Sequence, residues 1–346
     1  MKFTCLSRWN IRNGTAASTA LCFMVKSIYG KYKDIVGIYP AVNLNNLLLK
    51  EHVFDILKQL FNCGLKVCVI LLDNASPNRA LLKSLLNNFS QTSFADPNDS
   101  ARRIFAIFDP VHNVKNIYNN FQVRKKFVCP AIPFTDMISP CTANFYHIEE
   151  LYKKEIGMPL KIAHKLNPKV LNPFALEKTS VKLSLAVFDD TTSSALDFYS
   201  NTIDSWKETS AFIKYITSLW KILNVKTPTI GAHKRDSFRF PIYTCEDSNL
   251  LFLNKFIEWL EIWEKSGQAG LSQETFLALK HTCVGLRDIA HHFLKLSKVD
   301  YVLFGAFQSD PIERRFAWYR QMSGGNYLIG MRQLYDSEKK FAHYHF

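Results

Sequence analysis

The sequence predicts an α/β protein, a partly parallel mixed sheet interrupted by a long, mostly helical stretch. Three observations predict it. Up to about residue 145, apolar runs of strand length alternate with runs of helical period. From about residue 145 to 300, strand-like runs mostly vanish and helical periodicity takes over. After that a strand-like Tyr301-Val302-Leu303-Phe304 leads into an acidic segment, Asp310-Pro311-Ile312-Glu313.

Ala20 to Ile28 is strongly apolar, Gly30-Lys31 makes a turn, and Asp34 to Tyr39 is a second apolar run stopped by Pro40. Together they read as an antiparallel hairpin. Val53, Ile56, Leu57 and Leu60 then recur at helical spacing, and Gly64 is a natural stop. Lys66 to Leu72 is a continuous apolar run, expected to be a strand buried on both faces. It ends in Asp73-Asn74, and Ser76-Pro77 opens another helix. Arg103 to Phe108 is a further strand, ending at Asp109-Pro110-Val111-His112. Strands split by crossover helices imply parallel pairing, with function at the C-terminal strand ends, where Asp73 and Asp109 both fall. Farther on, Phe212, Ile213, Ile216, Leu219 and Trp220 form one helical stripe. Phe252, Phe256, Trp259, Leu260 and Trp263 form another, and both read as core. Residues 226–246, with Pro228, Pro241 and the run His233-Lys234-Arg235, read as a loop with solvated charges.

The chain has 346 residues, 47% of them hydrophobic, with 27 Phe, which excludes wholesale disorder. Lys and Arg total 43 against 30 acidic residues, a net charge of +13 that favours a polyanionic partner. No apolar run approaches a membrane span, and no signal-like segment opens the chain, so a soluble intracellular protein that meets nucleic acid is expected. None of the 8 cysteines forms a CxxC pair, which argues against a structural zinc site and a disulfide framework. Cys22 and Cys68 read as small core residues, and His291-His292 as a lone doublet on a helix.

Asp310 and Glu313 share one face of a helix start, and Arg314, Arg315 and Arg320 follow within two turns. Carboxylates that can hold a hard divalent cation, beside guanidinium groups that can hold phosphate, suggest phosphodiester chemistry. Locally a plainer reading stands beside it. Asp310 fits an N-cap, Pro311 the first helical position, and Glu313 the return half of a capping box. No GxxxxGK[ST] loop is present, which excludes a P-loop nucleotide site.

The motifs resemble the P-element family of DNA transposases, including its THAP-domain relatives. The resemblance is carried by Ala17 to Tyr39, by Leu71-Leu72-Asp73-Asn74 with Asn78, and by Phe108-Asp109-Pro110-Val111-His112-Asn113-Val114-Lys115-Asn116-Ile117. Leu171-Asn172-Pro173 through Phe188 extends it. Tyr301 to Tyr327, with Gln308-Ser309-Asp310-Pro311-Ile312-Glu313, is its most specific part. It covers about residues 16–340. It implies an RNase H-like catalytic fold interrupted by a helical insertion that binds GTP, and carboxylates that hold magnesium or manganese for cleavage and strand transfer of DNA. By motif, Asp73 would be the second catalytic and metal-binding carboxylate and Glu313 the third. Asp310 would lie near the catalytic and nucleotide centre. Asp109 and His112 would be supporting, and Arg314, Arg315 and Arg320 candidates for DNA phosphate. The implied partners are transposon-end DNA, GTP and intact transposase subunits, in the nucleus.

The resemblance also sets the domain expectation: a divergent segment 1–15, an RNase H-like first part 16–145, a helical insertion 146–298 and a C-terminal part 299–346. The family's first catalytic aspartate lies upstream of the match to Ala17. Met1 to Ala16 contain no Asp or Glu, and the first acidic residue is Asp34, expected to face solvent. A truncated or domesticated copy is therefore expected, with its first strand and first aspartate missing and its cleavage impaired. The alternative is a catalytically inactive protein, derived from a transposase, that binds DNA or GTP.

Overall fold

The computed structural model describes residue 17 and residues 19–42, 44–136, 139–175, 177–201, 205–296, 299–326 and 328–345. The expected segment 1–15, and Tyr327 of the C-terminal motif, lie outside the described residues. The elements follow in chain order as β1 (Thr19–Lys26), β2 (Lys33–Ala41), α1 (Asn46–Asn62), β3 (Val69–Leu72), α2 (Ser76–Leu85), β4 (Ser93–Asp96), β5 (Asp99–Phe108) and α3 (Pro110–Arg124). Then come β6 (Lys126–Cys129), β7 (Cys141–Asn144), α4 (Phe145–Glu155), α5 (Pro168–Leu171), α6 (Val181–Val187), α7 (Asp190–Ser200) and α8 (Trp206–Leu223). The chain ends with α9 (Ile230–Lys234), α10 (Ser248–Ser266), α11 (Gln273–Leu296), α12 (Asp310–Met322) and α13 (Met331–His345). Contacts divide it into two units, Met1–Gly64 with Asp310–Phe346, and Leu65–Ser309.

In the first unit β1 and β2 pair antiparallel from Thr19↔Ala41 to Lys26↔Lys33. The side chain of Asn45 caps α1 by accepting from Leu48 N at 2.9 Å, and the helix buries Leu49, Val53, Ile56, Leu57 and Leu60. This is the stripe the spacing predicts. The Tyr335 hydroxyl donates to the Ile38 carbonyl at 3.2 Å and ties α13 to β2.

The second unit holds a three-stranded mixed sheet in the order β3-β5-β4. β3 and β5 run parallel, from Val69↔Phe105 to Leu72↔Phe108, as the crossover reading requires. β4 pairs antiparallel with β5. The central strand is sealed: Ile104, Ala106, Ile107 and Phe108 have no exposed surface. The seal comes from α11. Its His281 Nε2 bonds the Ala106 carbonyl at 2.8 Å, and its Thr282 hydroxyl donates to the Phe108 carbonyl at 2.9 Å. Gly285 is required at this crossing, because a Cβ there would overlap Ile107. Both aromatic stripes are buried as expected. Phe212, Phe256, Trp259 and Trp263 pack together, with Trp259 and Trp263 centroids 4.9 Å apart. Among the described residues, no helix is long and apolar enough to cross a membrane.

Several expectations change. The strand expected from Lys66 begins only at Val69 and is half-buried, because it forms an edge and not the sheet centre. β4 was not anticipated, since its four residues, SFAD, carry too little apolar signal. The strand expected at 301–304 reduces to one bridge, Val302 to Ile242, followed by a turn of 3₁₀ helix at Phe304–Ala306. Ile242 lies within the stretch expected to be a loop, which also holds α9. Among the described residues the strands form three small sheets, not one.

Candidate functional site

The C-terminal ends of the parallel strands β3 and β5 place two carboxylates side by side along the chain register. Leu72 and Phe108 are the last paired residues, and Asp109 N still donates to the Leu72 carbonyl at 2.8 Å. Asp73 and Asp109 are therefore the first residues beyond the ladder. Asp73 is exposed. Its Oδ1 accepts from Ala75 N at 2.9 Å and from Asn78 Nδ2 at 2.7 Å. These bonds serve the start of α2, whose own N-cap, Ala75, has no side chain to offer. Both fall on Oδ1. Next to it, Asn74 Nδ2 donates to the Glu274 carbonyl at 3.1 Å, and Arg79 Nη1 donates to the Asn74 carbonyl at 2.5 Å.

Asp109 is different. It has no exposed surface, and it caps α3 by accepting from Val111 N at 3.3 Å. The same Oδ1 accepts from Ser309 N at 3.3 Å, and Oδ2 accepts from the Ser309 hydroxyl at 2.6 Å. His112 Nε2 stands 3.8 Å from Oδ2. Every oxygen of this carboxylate is committed to the protein. Ser309 is the functional partner that sequence reasoning missed. It lies 200 residues downstream, and no local pattern links the two.

The acidic helix belongs to the first unit. α12 begins at Asp310, so Asp310 and Glu313 both occupy its first turn, where negative charge favours the helix dipole. Asp310 is thus the first helical residue, one position inside the cap expected for it. Glu313 and Arg314 are exposed and Arg320 is half-buried. Arg315 is buried. Its Nη1 donates to both oxygens of Glu338, at 2.8 and 3.0 Å, and Nη2 donates to Asp34 at 3.4 Å. The guanidinium lies 3.3 Å over the Phe341 ring, and the Tyr319 hydroxyl donates to Glu338 as well. Burial, and then that bond to Glu338, push the Tyr319 phenol far above its usual range. Two expectations fall here. Arg315 is an internal cation and not a phosphate ligand on the surface, and Asp34 is a half-buried partner of it and not a solvent-facing residue.

In the second unit, a hollow of about 770 Å³ opens between the 132–136 segment and helices α8 and α10. Phe134, Tyr215, Phe238 and Phe252 line it, with Lys207 and Lys214 also at the wall. The Phe134 and Phe252 rings stack with centroids 5.9 Å apart, and Lys214 is paired with Asp197. The buried Tyr215 hydroxyl has no hydrogen-bond partner. Under the sheet, burial holds the His281 imidazole below its ordinary pKa, against the opposing pull of the Ala106 carbonyl. Among the described residues, no three His, Cys, Asp or Glu side chains gather in an arrangement that could hold a metal ion.

Residues 7–86 match the family model described as TNP-like, RNase H N-terminal domain, which spans the hairpin, α1, β3 and Asp73. The chain is also similar to the Transposable element P transposase of Drosophila melanogaster. The two are 28% identical over 198 residues, 54% of this chain. The match spans 24% of the Drosophila protein, about a quarter of its length. The fold is shared with a chain of the Drosophila P element transposase strand transfer complex at a TM-score of 0.78 and 20% identity. That likeness covers 92% of this chain and 69% of the other.

Proposed function

We propose that this chain is a P-element-type transposase derivative that binds DNA, with Asp73 and Glu313 in the acidic positions of an RNase H-like centre and with cleavage impaired. What carries the reading is the fold shared over 92% of the chain with a transposase from a strand transfer complex. The net charge of +13 supports a polyanionic partner. The boundaries 1–15, 16–145, 146–298 and 299–346 are proposed as its domain plan, and the nucleus as its site of action.

The carboxylates limit the chemistry. The exposed Asp73 and the exposed Glu313 carry hard oxygen donors of the kind magnesium or manganese prefers. Asp109 does not fit a metal role, because it is fully buried and both its oxygens already accept hydrogen bonds. Asp34 does not fit one either, being held by Arg315 and by Ile35 N at 2.8 Å. Asp73 and Glu313 would each hold a cation only loosely alone, and neither fills a two-metal clamp. For GTP, the aromatic hollow has the volume and planar walls a nucleobase needs, and Arg314 and Arg320 are the proposed contacts to DNA phosphate.

Fluorescence anisotropy with a labelled duplex tests DNA binding. Affinity should fall steeply and linearly on logarithmic axes between about 50 and 200 mM salt. No binding at low salt would refute it. A nicking assay with magnesium or manganese should show little product, and robust cutting abolished by Glu313→Gln would overturn the impairment. Titration calorimetry with GTP against ATP tests the nucleotide, with equal or absent heat as the refuting result.

A further inference from the structure

We propose that Cys129 and Cys141 form a reversible intramolecular disulfide, a redox clamp on the hairpin that carries Phe134. The two residues are direct partners in the β6–β7 register, so their side chains leave the ribbon on the same face. That face is the inner one: Phe127, Cys129, Cys141 and Ala143 have no exposed surface. Both thiols are free. Cys129 Sγ lies 3.5 Å from the Cys141 carbonyl, and Cys141 Sγ lies 3.2 Å from the carbonyl of Glu208 on α8.

The type of pairing sets the character of the bond. Val128 and Thr142 turn their amides away from the ladder, Val128 N to the Ala269 carbonyl at 2.7 Å and Thr142 N to Glu208 Oε2 at 2.5 Å. Cys129 and Cys141 therefore occupy a hydrogen-bonded pair, with Cα atoms about 5.5 Å apart. That lies inside the roughly 4.4–6.8 Å range from which a disulfide closes. The Cβ atoms of such a pair stand about 5 Å apart, whereas a relaxed disulfide needs about 3.8 Å. Closure must draw the strands together, and the strain makes the bond easy to reduce, which is the property of a switch and not of a permanent staple.

Closure would act on the hollow. Pro130 follows Cys129 directly, and its carbonyl accepts from Trp259 Nε1 at 3.2 Å. Ile132, Phe134 and Asp136, between the two cysteines, line the hollow wall. Fixing the base of the hairpin fixes the segment that carries Phe134 over Phe252. The oxidant class is a peroxide. One thiolate attacks hydrogen peroxide, giving a sulfenic acid and water. The second thiol then attacks that sulfur and releases a second water, so two thiols and one peroxide give one disulfide and two waters. The Cys141 thiol and burial together push the Cys129 thiol far up, so thiolate is scarce while the hairpin is closed and the reaction proceeds through its opening.

The test treats the folded full chain with hydrogen peroxide, blocks remaining thiols with iodoacetamide, and maps disulfide-linked peptides by mass spectrometry. The expected result is a Cys129–Cys141 linkage, loss of two titratable thiols, and recovery of both with reduced glutathione. Cys129→Ala and Cys141→Ala should each abolish that species. The mapping of the unmodified chain stands even if a variant misfolds. Disulfides only among Cys22, Cys63, Cys68 and Cys245, or a Cys129–Cys141 linkage that forms only in urea, would overturn the proposal. Neither DNA binding nor cleavage enters the readout, so this inference fails or stands apart from the proposed function.

Discussion

Asp73 and Asp109 leave parallel strands at the same height, and each follows an apolar run, yet they sit in opposite environments. The β3 end is open: Asp73 is exposed and holds two bonds on one oxygen. The β5 end is sealed: Asp109 has no exposed surface and receives the Ser309 hydroxyl and amide. The difference teaches that a strand-end carboxylate becomes available for chemistry, or is spent on structure, according to what packs over it. On the β5 side that cover is the 308–309 segment together with α11. The largest effect should therefore come from Asp109→Ala, which strands the Ser309 hydroxyl and removes the α3 cap. Its expected cost is about 3 kcal/mol in urea unfolding. A cost below about 1 kcal/mol would break the contrast, because a cap alone is worth that much.

The sealed end should be equally intolerant of added bulk. Gly285 sits where α11 crosses β5, and its missing Cβ is the space that Ile107 fills. Gly285→Ala should cost about 2 kcal/mol, since overpacking typically costs 1–3 kcal/mol, even though alanine favours helix elsewhere. A Gly285→Ala chain as stable as the parent would mean that α11 stands off the sheet.

Much of this fold was legible because its signals are local. The α1 stripe, the 212–220 and 252–263 stripes, the β1–β2 hairpin and the parallel β3–β5 pair all follow from periodicity and punctuation within a few residues. What was not legible depends on distant partners. The fate of Asp109 is decided by Ser309, 200 residues away, and that of Arg315 by Asp34 and Glu338. Arg314 and Arg315 are adjacent and identical in type, and only the return of α13 buries one of them. β4 was missed for the opposite reason. Its residues are weak strand formers, and it exists because β5 offers it an edge. The Asp96-Pro97-Asn98-Asp99 turn between them was the available signal.

His281 adds a pH dependence to the sealed end. Its folded pKa lies below the ordinary 6.5, so above 6.5 the imidazole is neutral in both states and costs nothing. As pH falls through 6.5 the unfolded chain takes up the proton first. The unfolded state then binds more protons, and stability declines until the folded pKa is also passed. Urea midpoints at pH 7.5 and pH 5 should show a larger drop for the parent than for His281→Gln. His52, His147, His291 and His292 shift the same way, so the difference between the two proteins is the measurement, not the parent's drop alone. Equal drops would mean that His281 is hydrated and that the α11 side is less closed than Asp109 implies.

The smallest stability effect should belong to Asp73, and its smallness is what makes the residue informative. Asp73→Asn keeps an Oδ1 acceptor for Ala75 N and Asn78 Nδ2, and the side chain is exposed, so unfolding should change by about 0.5 kcal/mol or less. The charge on Oδ2 is lost all the same. If that oxygen holds a divalent cation, titration calorimetry with manganese should lose its heat in Asp73→Asn while Asp109→Asn, where folded, retains it. A variant that keeps both its stability and its manganese heat would leave Asp73 as a cap for α2 and nothing more. A variant that unfolds would show that the β3 end carries structure too, and the contrast with Asp109 would disappear. Only loss of the heat from an intact fold separates a carboxylate held open for a ligand from one consumed by the protein.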